Sequence, residues 1–233
     1  MNNTKKMAYA VLENNTISLN TEHPYKWASG FYMPIYNDFR KFMFKPEYRT
    51  LITESMASLI EEEKIPYDII AGVASSGIAP GILLAEKLKR PFIFVRNTAK
   101  DHGMKNNIEG IDKNKDLENR IVLLVEDVVS TGESSAHAIQ SIRERNGVCN
   151  YCLALFSYDF PIAQEIFSGK RYFSKALRLE PGSTLKTVCS YTNLREVIQE
   201  TGFFDANMLT DMDVWQKDPF GWGIKHGFSP GGT

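Results

Sequence analysis

One segment constrains this chain more than any other. Ile121-Val-Leu-Leu-Val125 is a continuous β-rich apolar run, and two adjacent acids, Glu126 and Asp127, follow it. Val128, Val129, Ser130, Thr131 and Gly132 come next, and helical spacing begins at Glu133, with Ala136, Ile139 and Ile142 on one face. A strand without polar alternation is buried on both sides, which requires a parallel sheet covered by helices. The same grammar recurs along the chain. Strands are expected from Tyr67 to Val73, Phe92 to Val95, Tyr151 to Ser157 and Leu185 to Cys189. Helices are expected from Ile78 to Lys89, Glu133 to Arg145 and Asn193 to Glu200. The fold class is therefore α/β, a parallel sheet with helices on both faces. Such sheets bind ligands beyond the carboxyl ends of their strands, here just after Val73, Val95 and Val125.

The flanks read differently. Residues 1–65 are expected to hold a helix from Pro46 to Lys64, striped by Leu51, Met56, Leu59 and Ile60. Before it, the aromatic, Gly- and Pro-punctuated stretch from Trp27 to Arg40 reads as a hood. Residues 66–200 form the core. Residues 201–233, rich in Gly and aromatics, read as an irregular packed extension of unknown role, within one structural domain overall.

The turn after Asp127 suggests a chemistry. Small, hydroxyl-bearing and glycine-containing, it would aim backbone N–H groups and the helix N-terminus at a phosphate. Two acids beside a phosphate make sense if they hold ribose hydroxyls, a Mg²⁺ ion or a developing positive charge. The competing explanation is a helix cap, which needs only one of them. Neither a dinucleotide-binding GxGxxG nor a GxxxxGK loop is present.

Composition narrows the partners. Lys plus Arg number 27 against 28 Asp plus Glu, so bulk charge cannot hold nucleic acid or an acidic membrane. The apolar run at Ile121 is far too short to span a bilayer, and Met1 to Lys6 is not a signal peptide. Three cysteines argue for a reducing, cytoplasmic compartment. Cys149 and Cys152 have CxxC spacing, but they enter a strand, where positions three apart face opposite sides.

At VLLVEDVVSTG the chain resembles the type I phosphoribosyltransferases, whose phosphoribosyl-pyrophosphate (PRPP) motif is a hydrophobic strand, two acids and a turn ending in Thr-Gly. Arg96-Asn-Thr-Ala-Lys100-Asp-His102-Gly103, with Glu109-Gly110 beyond, resembles the catalytic loop of orotate phosphoribosyltransferases, patterned Arg-Lys-x-x-Lys-Asp-His-Gly. Ala74-Ser75-Ser76-Gly77 is similar to the family's pyrophosphate loop. Ser29-Gly30, Pro34-Ile-Tyr36-Asn37 and Arg40 fall like its N-terminal Ser-Gly and Ser-Pro-Tyr-Tyr stretch. Three positions depart: Asn97 replaces the second cation, Ala28 stands where many members have Lys, and Tyr158-Asp159 occupies a region where some carry Arg. The resemblance spans roughly residues 17–200.

The resemblance implies a reaction and its residues. Orotate would be joined to PRPP to give orotidine 5′-phosphate and pyrophosphate, in de novo pyrimidine (UMP) biosynthesis. Lys100, Glu126 and Asp127 would be catalytic. Ser76, Arg96, Lys100, His102, Glu126, Asp127 and the run from Val128 through Val129, Ser130, Thr131, Gly132 and Glu133 to Ser134 would bind PRPP. Tyr36, Asn37, Arg40 and Ser130 would bind orotate, with Phe31, Tyr32 and Tyr36 as aromatic walls or as core. Mg²⁺ would arrive with PRPP rather than on direct protein ligands. A homodimer is implied, with the loop of one chain serving the partner's site. Two other readings stay open: transfer to another base, such as a purine, and a regulator that binds PRPP or RNA without catalysis.

Overall fold

The computed structural model describes residues 2–27, 29–96, 107–112, 115–172 and 178–228. They form two compact units, Met43–Tyr191 and a second made of Met1–Phe42 with Thr192–Thr233. The larger unit holds the sheet. Its strands are β1 (Ile69–Val73), β2 (Phe92–Val95), β3 (Ile108–Glu109), β4 (Ile121–Val129), β5 (Val148–Ser157) and β6 (Thr184–Ser190). Its helices are α1 (Pro46–Glu62), α2 (Ile78–Leu88), α3 (Glu133–Arg143) and α4 (Pro161–Phe167).

The strand order is β6-β5-β4-β1-β2-β3. Every pairing is parallel except the short edge strand β3, which runs antiparallel to β2. From β1 the chain crosses through α2 to β2, in one direction along the sheet. From β4 it crosses through α3 to β5, in the other. Right-handed crossovers in opposite directions put their helices on opposite faces. Val122 and Leu124 of β4 accordingly enter a cluster with Ala136, Ile139 and Ile142 of α3 and with Ala163, Ile166 and Phe167 of α4. Leu123 and Val125, of opposite parity, are equally buried. The α/β class is as the apolar pattern implied.

Helix α1, which the sequence reading grouped with the hood, clusters with the sheet unit. The smaller unit corrects the view of the tail as irregular. Ala206–Lys217 and Pro219–Lys225 are helices, capped by Asp205 and Asp218. Asp205 accepts from the Met208 N–H at 2.8 Å, and Asp218 from that of Gly221 at 3.1 Å with Pro219 opening the helix. The unit also holds an unforeseen helix, Asn3–Glu13, and two antiparallel strand pairs. Ile17–Leu19 pairs with Ile35–Asn37, and Tyr25–Lys26 with Tyr32–Met33.

Candidate active site

Between β1 and β4 the crossovers diverge. This is the topological switch point at which open α/β sheets bind ligands. A cleft of about 220 Å³ lies there, lined by Val73, Ala74, Ser75 and Ser76 after β1 and by the run Glu126 to Ser135 at the end of β4.

The β1 side depends on close backbone approach. A Cβ on Gly77 would lie 2.5 Å from the Val125 carbonyl oxygen and 2.8 Å from that of Val73. Only glycine lets the loop of Ala74 to Ser76 sit against the two strands. Gly72 has the same role from the strand side, since its Cβ would meet the Gly77 carbonyl at 2.7 Å. Sequence reasoning singled out Gly77 and missed Gly72.

The β4 side differs from expectation in one respect. The strand does not stop at Val125 but runs to Val129, because its ladder with β5 continues through Glu126 opposite Ala154 and Val129 opposite Ser157. The acids and both valines, expected in or before a turn, are thus inside a strand. Consecutive strand residues face opposite sides. Glu126 is only 6% exposed, and Asp127 is half-buried. Burial first, and the Asp127 carboxylate second, push Glu126 well above its ordinary carboxylic value of 4.5. The Asp127 N–H donates to Glu126 Oε1 at 3.1 Å.

Ser130, Thr131 and Gly132 form the turn proper. Gly132 has φ +85°, the left-handed region that glycine tolerates best, and it caps α3 without any side-chain cap. The capping explanation for Asp127 therefore fails. The first-turn N–H groups of α3 are open to an anion, apart from a long 3.5 Å contact from Glu133 N–H to Thr131 Oγ1.

Arg96 follows β2. Its N–H donates to the Asn107 carbonyl at 2.8 Å, and its guanidinium pairs with Glu109 at 2.9 Å. Lys100, His102, Asn97 and Ala28 lie outside the described residues. In the smaller unit, Tyr36 is 40% exposed and its ring centroid is 5.6 Å from that of Tyr25. Arg40 donates to Asp38 at 2.6 Å and to the Tyr36 hydroxyl at 3.4 Å. Its charge is thus already compensated. Asn37 was expected to bind orotate, and both polar atoms of its side chain are shielded and lack a partner among the described residues. Phe31 packs edgewise on Phe220 and Tyr32 stacks on Phe228, with all four rings half-buried. Asp159 follows the buried Tyr158 with φ +57°.

The two cysteines of the CxxC spacing need a correction. A bulge in β5 shifts the register between Ile121 and Leu123, and Cys149 and Cys152 both enter one apolar cluster. Burial raises both thiols, Cys149 to about 12.

Residues 45–156 match the phosphoribosyl transferase domain. The orotate phosphoribosyltransferase of Cytophaga hutchinsonii is 34% identical over 222 residues, 95% of this chain and 99% of that one. The chain belongs to the orotate phosphoribosyltransferase family. Solved structures share its fold. Leishmania donovani UMP synthase superposes with a TM-score of 0.72 at 20% identity, over 92% of this chain and 42% of that longer one. Mycobacterium tuberculosis orotate phosphoribosyltransferase, in complex with PRPP, gives a TM-score of 0.58 at 18% identity, covering 82% and 98%. Among the described residues no helix is long and apolar enough to cross a membrane.

Proposed function

We propose that this chain transfers the 5-phosphoribosyl group of PRPP to orotate, releasing pyrophosphate, as a step of UMP biosynthesis. The observation that carries the reading is the cleft itself. It joins a turn of backbone N–H groups, at the start of α3, to two carboxylates near the carboxyl end of a central strand.

The chemistry is displacement at the anomeric carbon through an oxocarbenium-like state, so the enzyme's work is positioning and charge stabilisation. The 5′-phosphate sits on the amides from Val128 and Val129 through Ser130, Thr131 and Gly132 to Glu133 and Ser134. Asp127 faces the ribose and favours the cationic ring. Glu126, buried beside it, hydrogen-bonds a ribose hydroxyl. Ser76, Arg96, Lys100 and His102 meet the pyrophosphate, Arg96 exchanging Glu109 for it. Tyr36, Asn37, Arg40 and Ser130 meet orotate.

The donor set fits a Mg²⁺ that arrives on the substrate. Asp127, half-buried beside the buried Glu126, supplies too few oxygens to hold the ion by itself, and diphosphate and ribose oxygens of the substrate would supply the rest. When bound, it offsets charge on the leaving pyrophosphate. Two further assignments rest on family resemblance. The unit is a homodimer in which Lys100 and His102 of one protomer serve Glu126 and Asp127 of its partner. The compartment is the cytoplasm, in keeping with three buried free thiols.

Loss of orotate absorbance with PRPP and Mg²⁺ tests the reaction, with adenine and other bases as a panel. Asp127→Asn should lower kcat by orders of magnitude with an unchanged melting profile. Turnover of adenine and not orotate, or a fully active Asp127→Asn, would refute the reading.

A further inference from the structure

We propose that the C-terminal segment of residues 205–228 is a positioning element for the orotate-binding strand, acting through Trp215, Phe220 and Gly223. The proposal rests on the reading that Tyr36 and Asn37 meet the base.

The strand Ile35–Asn37 is three residues long and has one short partner, Ile17–Leu19. A two-stranded ribbon of that size is not stable alone in water. What holds it comes largely from the other end of the chain. Trp215 is fully buried, and its indole N–H donates to Met33 Sδ at 3.2 Å. Its ring meets Trp27 edge-on with centroids 6.5 Å apart. Trp27 in turn donates its own indole N–H to the Ile35 carbonyl at 2.9 Å. A chain of contacts therefore runs from Trp215 through Trp27 to the first residue of the strand that carries Tyr36 and Asn37.

Two further contacts lie on the hairpin preceding that strand. Phe220 meets Phe31 edge-on, with centroids 5.2 Å apart. Gly223 presses its helix against the hairpin backbone, where a Cβ would come within 2.7 Å of the Tyr32 carbonyl oxygen. Behind them, Arg195 grips Asp213 with two hydrogen bonds of 2.6 Å, tying the helix that carries Trp215 to Tyr191–Thr201. None of these contacts involves the phosphate cleft, whose residues belong to the other compact unit. Loosening the segment should therefore weaken the hold on orotate and spare that on PRPP.

The test uses the full-length enzyme with Gly223→Ala, Phe220→Leu and, as a marker of the base site, Asn37→Leu. KM for each substrate is measured at saturating co-substrate, alongside circular dichroism. Gly223→Ala and Phe220→Leu should each raise the orotate KM about tenfold or more and leave the PRPP KM within about twofold. Phe220→Leu keeps the test open if Gly223→Ala does not fold. If both KM values rise together, or neither moves while Asn37→Leu raises that for orotate, the segment is a structural brace only and the proposal is overturned. If Asn37→Leu leaves the orotate KM unchanged, the base-site reading has failed and the proposal falls with it.

Discussion

Gly77→Ala should damage stability and PRPP use together, and the geometry gives the size of both effects. The added Cβ would lie 2.5 Å from the Val125 carbonyl oxygen, 2.8 Å from that of Val73 and 2.9 Å from the Val73 nitrogen. All three are backbone atoms of central strands, so no rotamer change relieves the clash. Reaching ordinary contact at 3.4 Å requires the loop to retreat by about 0.9 Å. Overpacking of this kind costs roughly 1–3 kcal/mol, and rigid walls place it near the upper end. Gly77 has φ −75°, which alanine adopts freely, so there is no dihedral penalty. Reduced freedom of the unfolded chain returns about 0.4–1 kcal/mol. A net loss of about 2 kcal/mol corresponds to a melting shift of roughly 4–8 °C for a chain this size. The retreating loop carries Ser75 and Ser76 with it, and displacements near 1 Å at a site cost up to about 10²-fold in rate. The assay is a thermal melt with kcat/KM for PRPP. Gly81→Ala is the control, because the one clash its Cβ would make is with the movable Phe92 ring, at 2.9 Å, the Gly72 backbone lying at ordinary contact from 3.4 Å. A Gly77→Ala protein that melts with wild type and keeps its kcat/KM would show that the close approach carries no weight.

Two other outcomes are expected. Because burial raises Glu126 above 4.5 in the folded protein, the fold holds a proton that the unfolded chain releases; stability from this group is full below about pH 4.5 and is lost as pH rises toward the raised value. Glu126→Gln should flatten that decline in urea titrations, and an unchanged slope would mean that Glu126 is ionised in the fold. Lys100→Ala and Asp127→Asn proteins, each inactive, should regain activity when unfolded together and refolded as mixed dimers, since one of the two sites then has neither defect; mixed dimers without activity would place Lys100 in its own chain's site.

The phosphate cleft was legible because its parts are contiguous. A buried strand, two acids, a small turn and a helix start sit within fifteen residues, and each obeys local rules. What was misread there was decided by partners elsewhere. Nothing in VLLVEDVV says that the strand outlasts its apolar run. The ladder to Ala154 and Ser157 extends it and sends Glu126 and Asp127 to opposite faces. The cysteine spacing failed for the same reason. Period-two parity holds only in a regular ladder, and one extra residue in β5 reverses it.

The tail was misread for a different reason, since local signals were present. Asp205 and the Asp218-Pro219 pair are helix-start signatures, but the mixture of glycines and aromatics obscured the period between them. Its partner was out of reach of any local reading. The strand bearing Tyr36 and Asn37 belongs with residues more than 150 positions away, such as the 182-residue separation between Met33 and Trp215. Loop-closure entropy grows only with the logarithm of such a separation, so a few buried aromatics suffice to join the two chain ends. The phosphate cleft and the strand proposed for the base thus have different physical origins. A phosphate can be held by one turn, because charge and backbone amides are generic. A planar base needs aromatic and amide groups fixed from several sides, and the strand proposed for it is held by contacts from the other end of the chain. In the sequence, the strand–acid–turn motif matches the family pattern throughout, while departures fall elsewhere, at Ala28, Asn97 and the Tyr158-Asp159 pair.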